Sequence, residues 1–306
     1  MKNLYKRVRK PGILILLVLF CSGATMQQSL AQLNPLKSFY FQNQYLLNPA
    51  MAGLSDGLKV NLHYRKQFNS IPGAPITMAV TGDYRLGNSG GVGVNVYQDE
   101  EGILKRTKAM ATYAYHLPLS SKGSALHIGL SAGVINEKID MNDILGDIDD
   151  VEVMKYNDRG PYFEADFGIA YTDSKFTIQA SLPNIRGTFD SKINKSETIN
   201  RATFLGAASY KLLFNEGAVG IEPKVVYRGV KGTDDVIDAG ANVSFANEQF
   251  NLFGMYHSTK NTTFGLDINI TPKVKVFGNY TTKGKELSRY TDGSFELGLQ
   301  TSLWHK

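Results

Sequence analysis

From residue 58 onward the chain alternates apolar and polar positions almost without interruption. In "PITMAVTGDYRL", residues 75–86, Ile76, Met78, Val80, Gly82, Tyr84 and Leu86 fall on one side of an extended backbone, and Thr77, Ala79, Thr81, Asp83 and Arg85 on the other. "FEADFGIAY" repeats the pattern with Phe163, Ala165, Phe167, Ile169 and Tyr171 in one phase, and "IDAGANVSF" with Ile237, Ala239, Ala241, Val243 and Phe245. A period of two is the signature of a β-strand with two unlike faces. Helical periodicity is nearly absent after residue 57, and Gly, Asn, Asp, Pro and Ser punctuate the breaks. The pattern predicts extended segments at 58–67, 75–86, 91–97, 103–117, 125–135, 162–171, 175–182, 201–213, 218–228, 235–245, 249–258, 262–270, 274–281 and 294–304, an all-β meander.

Alternation alone does not separate a soluble sandwich from a membrane barrel, but the connections do. Those after even segments are short ("GNSG", "PLSSKGS", "TDS", "FNEG", "ANE", "TPK"). The long ones, "FNSIPGA", 136–161, 183–200 and 282–293, all follow odd segments. Short turns at one end and longer loops at the other are the habit of outer-membrane barrels. Aromatic placement points the same way. Tyr84, Tyr115, Tyr171, Tyr210 and Phe245 sit near the ends of even strands, and Tyr64, Tyr227, Tyr256 and Tyr280 near the ends of odd ones, each in phase with the apolar set. Two aromatic rings, one at each rim, are expected of such a barrel. The expected fold is therefore a transmembrane antiparallel up-and-down β-barrel of about 14 strands in the outer membrane. Its apolar phase would face membrane lipid.

The first residues fit that destination. Lys2, Lys6, Arg7, Arg9 and Lys10 precede "GILILLVLFC", and "SLA" at 29–31 offers small residues for cleavage, so residues 1–31 read as a signal peptide. Phe20 before Cys21 is bulky where a lipid-attachment motif needs a small residue. Without this leader the 28 remaining Lys and Arg equal the 28 Asp and Glu, and no cysteine is left. A neutral chain gives no reason to expect nucleic acid, and disulfides or thiolate metal sites are ruled out. Residues 32–57 do not alternate and read as a periplasmic or plug segment, with the barrel at 58–306.

In the barrel reading the polar phase lines the lumen. Asp83, Arg85, Glu164, Asp166, Glu222, Lys224 and Arg228 are its main charged candidates, joined by Lys59, His63, Asp238, Asp267 and Lys275. Both signs fall on neighbouring strands, so a narrow or plugged interior is expected rather than an open pore. Glycines within strands, as in "GGVGVNV" and "IGLSAGV", permit close packing against whatever fills it. The ending "GSFELGLQTSLWHK" resembles the terminal-strand signal of barrel assembly through Glu296, Gly298, Thr301 and Leu303. Trp304 falls in the polar phase.

Candidate chemistry is sparse. The histidines at 63, 116, 127, 257 and 305 show no H-E-x-x-H or paired spacing, and "GGVGVNV" lacks the third glycine and helix of a dinucleotide site. Asp140, Asp143, Asp147, Asp149, Asp150 and Glu152 cluster on a long outer loop without the glycine of a calcium-binding turn, and read as a solvated acidic loop. No catalytic residues, metal site or cofactor are expected.

The stretches "NQYLLNPAMAG", "YRKQFNSIPGAPITMAVTGDYRL", "GVGVNVYQDEEGI" and "ATYAYHLPLSSKGSALHIGLSAGV" resemble the PorP/SprF family of Bacteroidetes outer-membrane proteins, densely from residue 41 to about 135. The resemblance implies a non-enzymatic component of the type IX secretion and gliding-motility machinery. Its partners would be secreted cargo bearing a class of C-terminal domain, and other periplasmic and outer-membrane secretion components. Asn48, Pro49, Ala50 and Gly53 resemble the family's "NPAxxG" element, implied to be a plug or a partner contact. Arg65, Pro72, Gly73 and Pro75 lie in the second matched stretch, where the prolines stiffen the first outer loop. A porin or small-molecule transporter is the alternative function.

Overall fold

The computed structural model describes residues 40–68, 73–121, 123–140, 151–189, 203–230, 235–283 and 293–304. The leader, Pro72, most of the acidic loop and His305 lie outside them. Among the described residues fifteen strands form: β1 (Leu58–Gln67), β2 (Ile76–Leu86), β3 (Gly90–Glu101), β4 (Leu104–Pro118), β5 (Ala125–Ile139), β6 (Tyr162–Thr172), β7 (Phe176–Leu182), β8 (Thr203–Tyr210), β9 (Leu212–Phe214), β10 (Val219–Val230), β11 (Val236–Phe245), β12 (Phe250–His257), β13 (Asn261–Thr271), β14 (Val274–Thr281) and β15 (Ser294–Leu303).

β9 continues β8. Ser209 pairs with Lys224 and Leu212 with Ile221 in one register, and the break at Tyr210–Lys211 lies opposite Pro223, which has no N–H to give. The barrel thus has fourteen spanning strands, each antiparallel to its neighbours. It closes where β1 meets β15, from Leu58 opposite Leu303 to Gln67 opposite Ser294. Closure leaves no sheet edge and satisfies the ladder around the whole circumference, the condition for a sheet to cross hydrocarbon.

The two phases separate cleanly. On β2, Met78 and Val80 are 44% and 46% exposed, while Thr77 and Thr81 are 4% and 0% exposed. In a water-soluble protein the apolar phase would be the buried one. Here Leu62, Val96, Leu130, Phe163, Leu252 and Leu297 lie exposed on the outer wall, and Asn61, Ser131, Glu164, Asn251 and Glu296 are buried inside. The nine rim aromatics lie in the outward phase, and three make ring contacts there: Tyr210 with Phe176, Tyr227 with Phe204 and Tyr280 with Phe295. Trp304 leaves the ladder. Its φ is +55° and its side chain is 73% exposed, so pairing ends at Leu303.

The long-loop end departs from the expected strands. β3 and β5 each run four residues beyond their sequence bounds, to Glu101 and Ile139. Two helical turns, Val151–Asn157 and Ile185–Phe189, form within the long loops. The second tucks inward against β6, where Glu164 accepts from the Arg186 N–H and Asp166 from the Asn184 N–H. At the short-turn end, Asp173 accepts from the Lys175 and Phe176 N–H groups. These bonds, Phe176 first, hold its carboxyl below the usual range.

Candidate functional site

Residues 40–57 enter the lumen and fill it. Two short turns shape the segment. Asn43 caps Gln44–Leu47 by accepting from the Leu46 N–H, and Asn48 caps the 3-10 turn Pro49–Met51 by accepting from Ala50 N–H at 2.9 Å, with Pro49 at its first position. Asn48, Ala50 and Ala52 are fully buried. So short a segment has no core of its own, and its backbone polar groups are shared between its own turns and the barrel wall.

The anchoring runs around the whole circumference. Tyr40 donates its hydroxyl to Asp238 at 2.5 Å and accepts from Lys224 at its carbonyl at 2.7 Å. Gln42 donates to Asp267 at 3.0 Å, and Asn43 donates to Thr81 at 2.9 Å and to His63 Nε2 at 2.8 Å. Tyr45 shares a hydrogen bond of 2.7 Å with Thr112. Asn48 Nδ2 reaches Gln179 and the Ile169 carbonyl, both at 3.2 Å, while Ser181 donates to the Leu47 carbonyl. His116 donates from Nε2 to the Ala52 carbonyl at 3.0 Å, and the Gly53 N–H donates to Asp83 at 2.9 Å.

Small residues in the wall make room for this segment. A Cβ on Gly168 would collide with the Asn48 side chain, on Gly129 with the backbone of Pro49 and Ala50, on Gly91 with the Ala52 carbonyl, and on Gly93 with the Tyr45 ring. The wall and the plug are thus mutually fitted.

Around and above the plug, ion pairs occupy the remaining lumen. Arg65 Nε lies 3.1 Å from Glu296, its direct partner across the β1–β15 closure. Arg106 meets Glu137 at 3.0 Å, Lys108 meets Asp166 at 2.8 Å, Lys224 meets Glu222 at 3.3 Å and Arg228 meets Asp238 at 2.9 Å. Arg85 is different, half-exposed at the short-turn mouth and 3.5 Å from Asp56. A polar cavity of about 120 Å³ at that mouth is bordered by Phe41, Glu222, Asn242, Asp267 and Lys275. At about 30 Å³ per molecule it holds a few waters.

The model of one family, described as type IX secretion system membrane protein PorP/SprF, matches residues 29–300. The chain belongs to that family. No curated protein sequence matches it. Among solved structures, the PorP/SprF chain is similar to the outer membrane protein Omp33 of Acinetobacter baumannii, with TM-score 0.50 and 10% identity over 82% of this chain and 100% of that one. It is also similar to the toluene transporter TbuX of Ralstonia pickettii (TM-score 0.49, 12% identity, 84% of this chain and 92% of that one). At 10% identity the likeness to Omp33 concerns the fold alone, an outer-membrane β-barrel.

In this PorP/SprF barrel the "NPAxxG" residues Asn48, Pro49, Ala50 and Gly53 all lie buried in the lumen, and Arg65 joins Glu296 there. Gly73 and Pro75 stand at the long-loop end. The Gly73 carbonyl accepts from Gly102 N–H and that of Pro75 from Gln67 N–H. Glu164, Asp166, Glu222, Lys224 and Arg228 all face the lumen but form no single cluster: Glu164 and Asp166 hold the turn at 184–186, Asp166 also meets Lys108 of β4, Lys224 meets Glu222 on its own strand, and Arg228 meets Asp238 on the next.

Sequence reading did not single out Tyr40, Gln42, Asn43 or Tyr45, although their stretch is visibly rich in aromatics and amides. It placed Asp238 in the lumen and noted His257, but missed that the two line up with Thr263 as a carboxylate, an imidazole and a hydroxyl. His257 Nδ1 lies 2.7 Å from Asp238, and Nε2 lies 2.8 Å from Thr263 Oγ1. That order is the one used to activate a nucleophile. However, Thr263 is fully buried and shares a further hydrogen bond with Thr281, and Asp238 is also held by Arg228 and Tyr40. The arrangement ties the plug to the wall and leaves the hydroxyl no room for a substrate.

Proposed function

We propose that this protein is a non-enzymatic outer-membrane component of the type IX secretion and gliding-motility machinery. In this reading it binds cargo C-terminal domains and periplasmic secretion components at its rims, and exports or anchors cargo without passing it through its own lumen. The observation that carries the reading is the plug, because a lumen filled by the chain's own residues 40–57 and by buried ion pairs has no path for a polypeptide. Family membership supports the secretion role. The short turns would face the periplasm and the long loops the cell exterior, with acyl chains against the outward apolar phase.

Deleting the gene is expected to abolish surface display of cognate cargo while leaving the membrane intact, and normal display would contradict the proposal. The porin reading is separated by planar-bilayer recording of the purified protein. No steady current is expected, and a sustained open pore would favour transport.

A further inference from the structure

At the long-loop end, the outward phase of β1 to β5 ends in a charged rung. Lys66 pairs across the ladder with Ile76, Ile76 with Glu100, Glu100 with Lys105, and Lys105 with Lys138. All five side chains share the outward phase with the exposed apolar residues beneath them, such as Val80, Val96 and Val134. On β4 the outward apolar run from Leu117 to Ala109 spans about 20 Å along the membrane normal, for a rise of about 3.3 Å per residue and a tilt near 40°. The next outward rung is polar, Gln98, Thr107 and Asn136, and the charged rung follows it. That puts Lys105 and its neighbour Lys138 at the level of lipid headgroups, just outside the apolar band, while Lys66, across three strands tilted near 40°, stands about 9 Å off that level.

Two features leave positive charge over on the rung. Lys105 and Lys138 are directly opposed like charges, which a ladder disfavours. Glu100 and Asp140 flank Lys105 at 3.8 Å and 2.7 Å, but exposed Lys138 has no bonded partner among the described residues, nor has Lys66. The rung is also confined to one side. Around the rest of the described long-loop rim the outward strand ends carry aromatics instead, including Phe204, Tyr227, Tyr256, Tyr280 and Phe295.

We propose that this rung binds the phosphate-bearing headgroup of an anionic outer-leaflet glycolipid. One phosphate sits between Lys105 and Lys138. Lys66, three strand spacings or about 14 Å away, adds positive charge on the same flank. Such a contact fixes the rotational setting of the barrel in the leaflet and gathers anionic lipid on one flank. The inference rests on the orientation given above, with long loops outward, but not on cargo binding. Lipid binding in detergent and cargo display in cells can therefore fail independently.

The test adds purified diphosphoryl lipid A to the full-length protein in neutral detergent and follows complexes by native mass spectrometry. Binding is expected to weaken about a hundredfold in the Lys66→Gln/Lys105→Gln/Lys138→Gln variant and to fall steeply with salt. It should survive in the corresponding triple arginine variant and be unchanged in Lys260→Gln. The exposed single change Lys138→Gln, which disturbs no described contact, should weaken binding on its own. Equal binding by the unsubstituted and Lys138→Gln proteins would overturn the proposal. So would inorganic phosphate competing as well as the lipid at equal concentration.

Discussion

Gly129→Val is expected to prevent the barrel from reaching its folded form. The added carbon would land on the backbone of Pro49 and Ala50, so no rotamer change relieves the collision. β5 is held on both sides, by β4 and β6, and cannot retreat without breaking two ladders. Overpacking a close-fitted interior costs about 1–3 kcal/mol when side chains can adjust, and more is expected where both sides are backbone. The check is electrophoretic: unheated folded barrel migrates apart from the unfolded chain, and the variant should lack that band. Gly160→Ala, where the added carbon meets nothing within 4 Å, should keep it.

The second large effect concerns closure. Glu296→Leu leaves Arg65 charged and buried opposite a leucine, and stranding one member of a buried pair costs about 3–5 kcal/mol. The two side chains are 0% and 5% exposed, so solvent offers no compensation. The double change Arg65→Leu/Glu296→Leu removes the stranded charge and should recover most of the loss. Urea unfolding midpoints of the refolded variants check both statements. The pair also has a specifying role, because a slip of one residue between β1 and β15 would put Arg65 opposite an outward side chain. A double variant that regains stability but closes in mixed registers would show that role.

Much of the barrel was legible because its rule is local. Outward residues such as Phe163, Phe167 and Ile169 announce their face by alternating with Glu164 and Asp166, and a ladder needs little more than that pattern and its turns. Parity of loop lengths and the nine rim aromatics favoured a membrane barrel over a sandwich. What could not be read is whatever depends on which strands meet across the lumen. Gly91, Gly129 and Gly168 are bare because the plug backbone passes them. Gly133, Gly240, Gly265 and Gly298 look identical in sequence, yet they clear space for Met110, Met255, Phe253 and Phe277 from adjacent strands. Those large apolar side chains, with Val226, stand in the polar phase and fill the lumen beside the plug, an exception to alternation that only packing explains.

The candidate site was half legible for the same reason. Asn48 and Pro49 declare a capped turn, since Asn accepts from the second amide on and Pro suits the first helical position. That the turn lies inside the barrel follows from long-range bonds to Gln179, Ile169 and Ala180, more than a hundred residues away. Tyr40 with Asp238, and His116 with Ala52, are likewise pairings across the lumen that no spacing rule encodes. The break between β8 and β9 needed the register as well, because Pro223 interrupts a strand other than its own.

The central claim is that one phase of each strand meets hydrocarbon and the other meets the plug. Nitroxide labels at Val80 and Thr81, placed one at a time in a Cys21→Ser background and reconstituted in vesicles, test it most directly. The Val80 label should relax with oxygen dissolved in the bilayer and ignore a water-soluble nickel chelate, while the neighbouring Thr81 label should be shielded from both. A Val80 label open to the chelate, or one shielded like Thr81, would contradict the account.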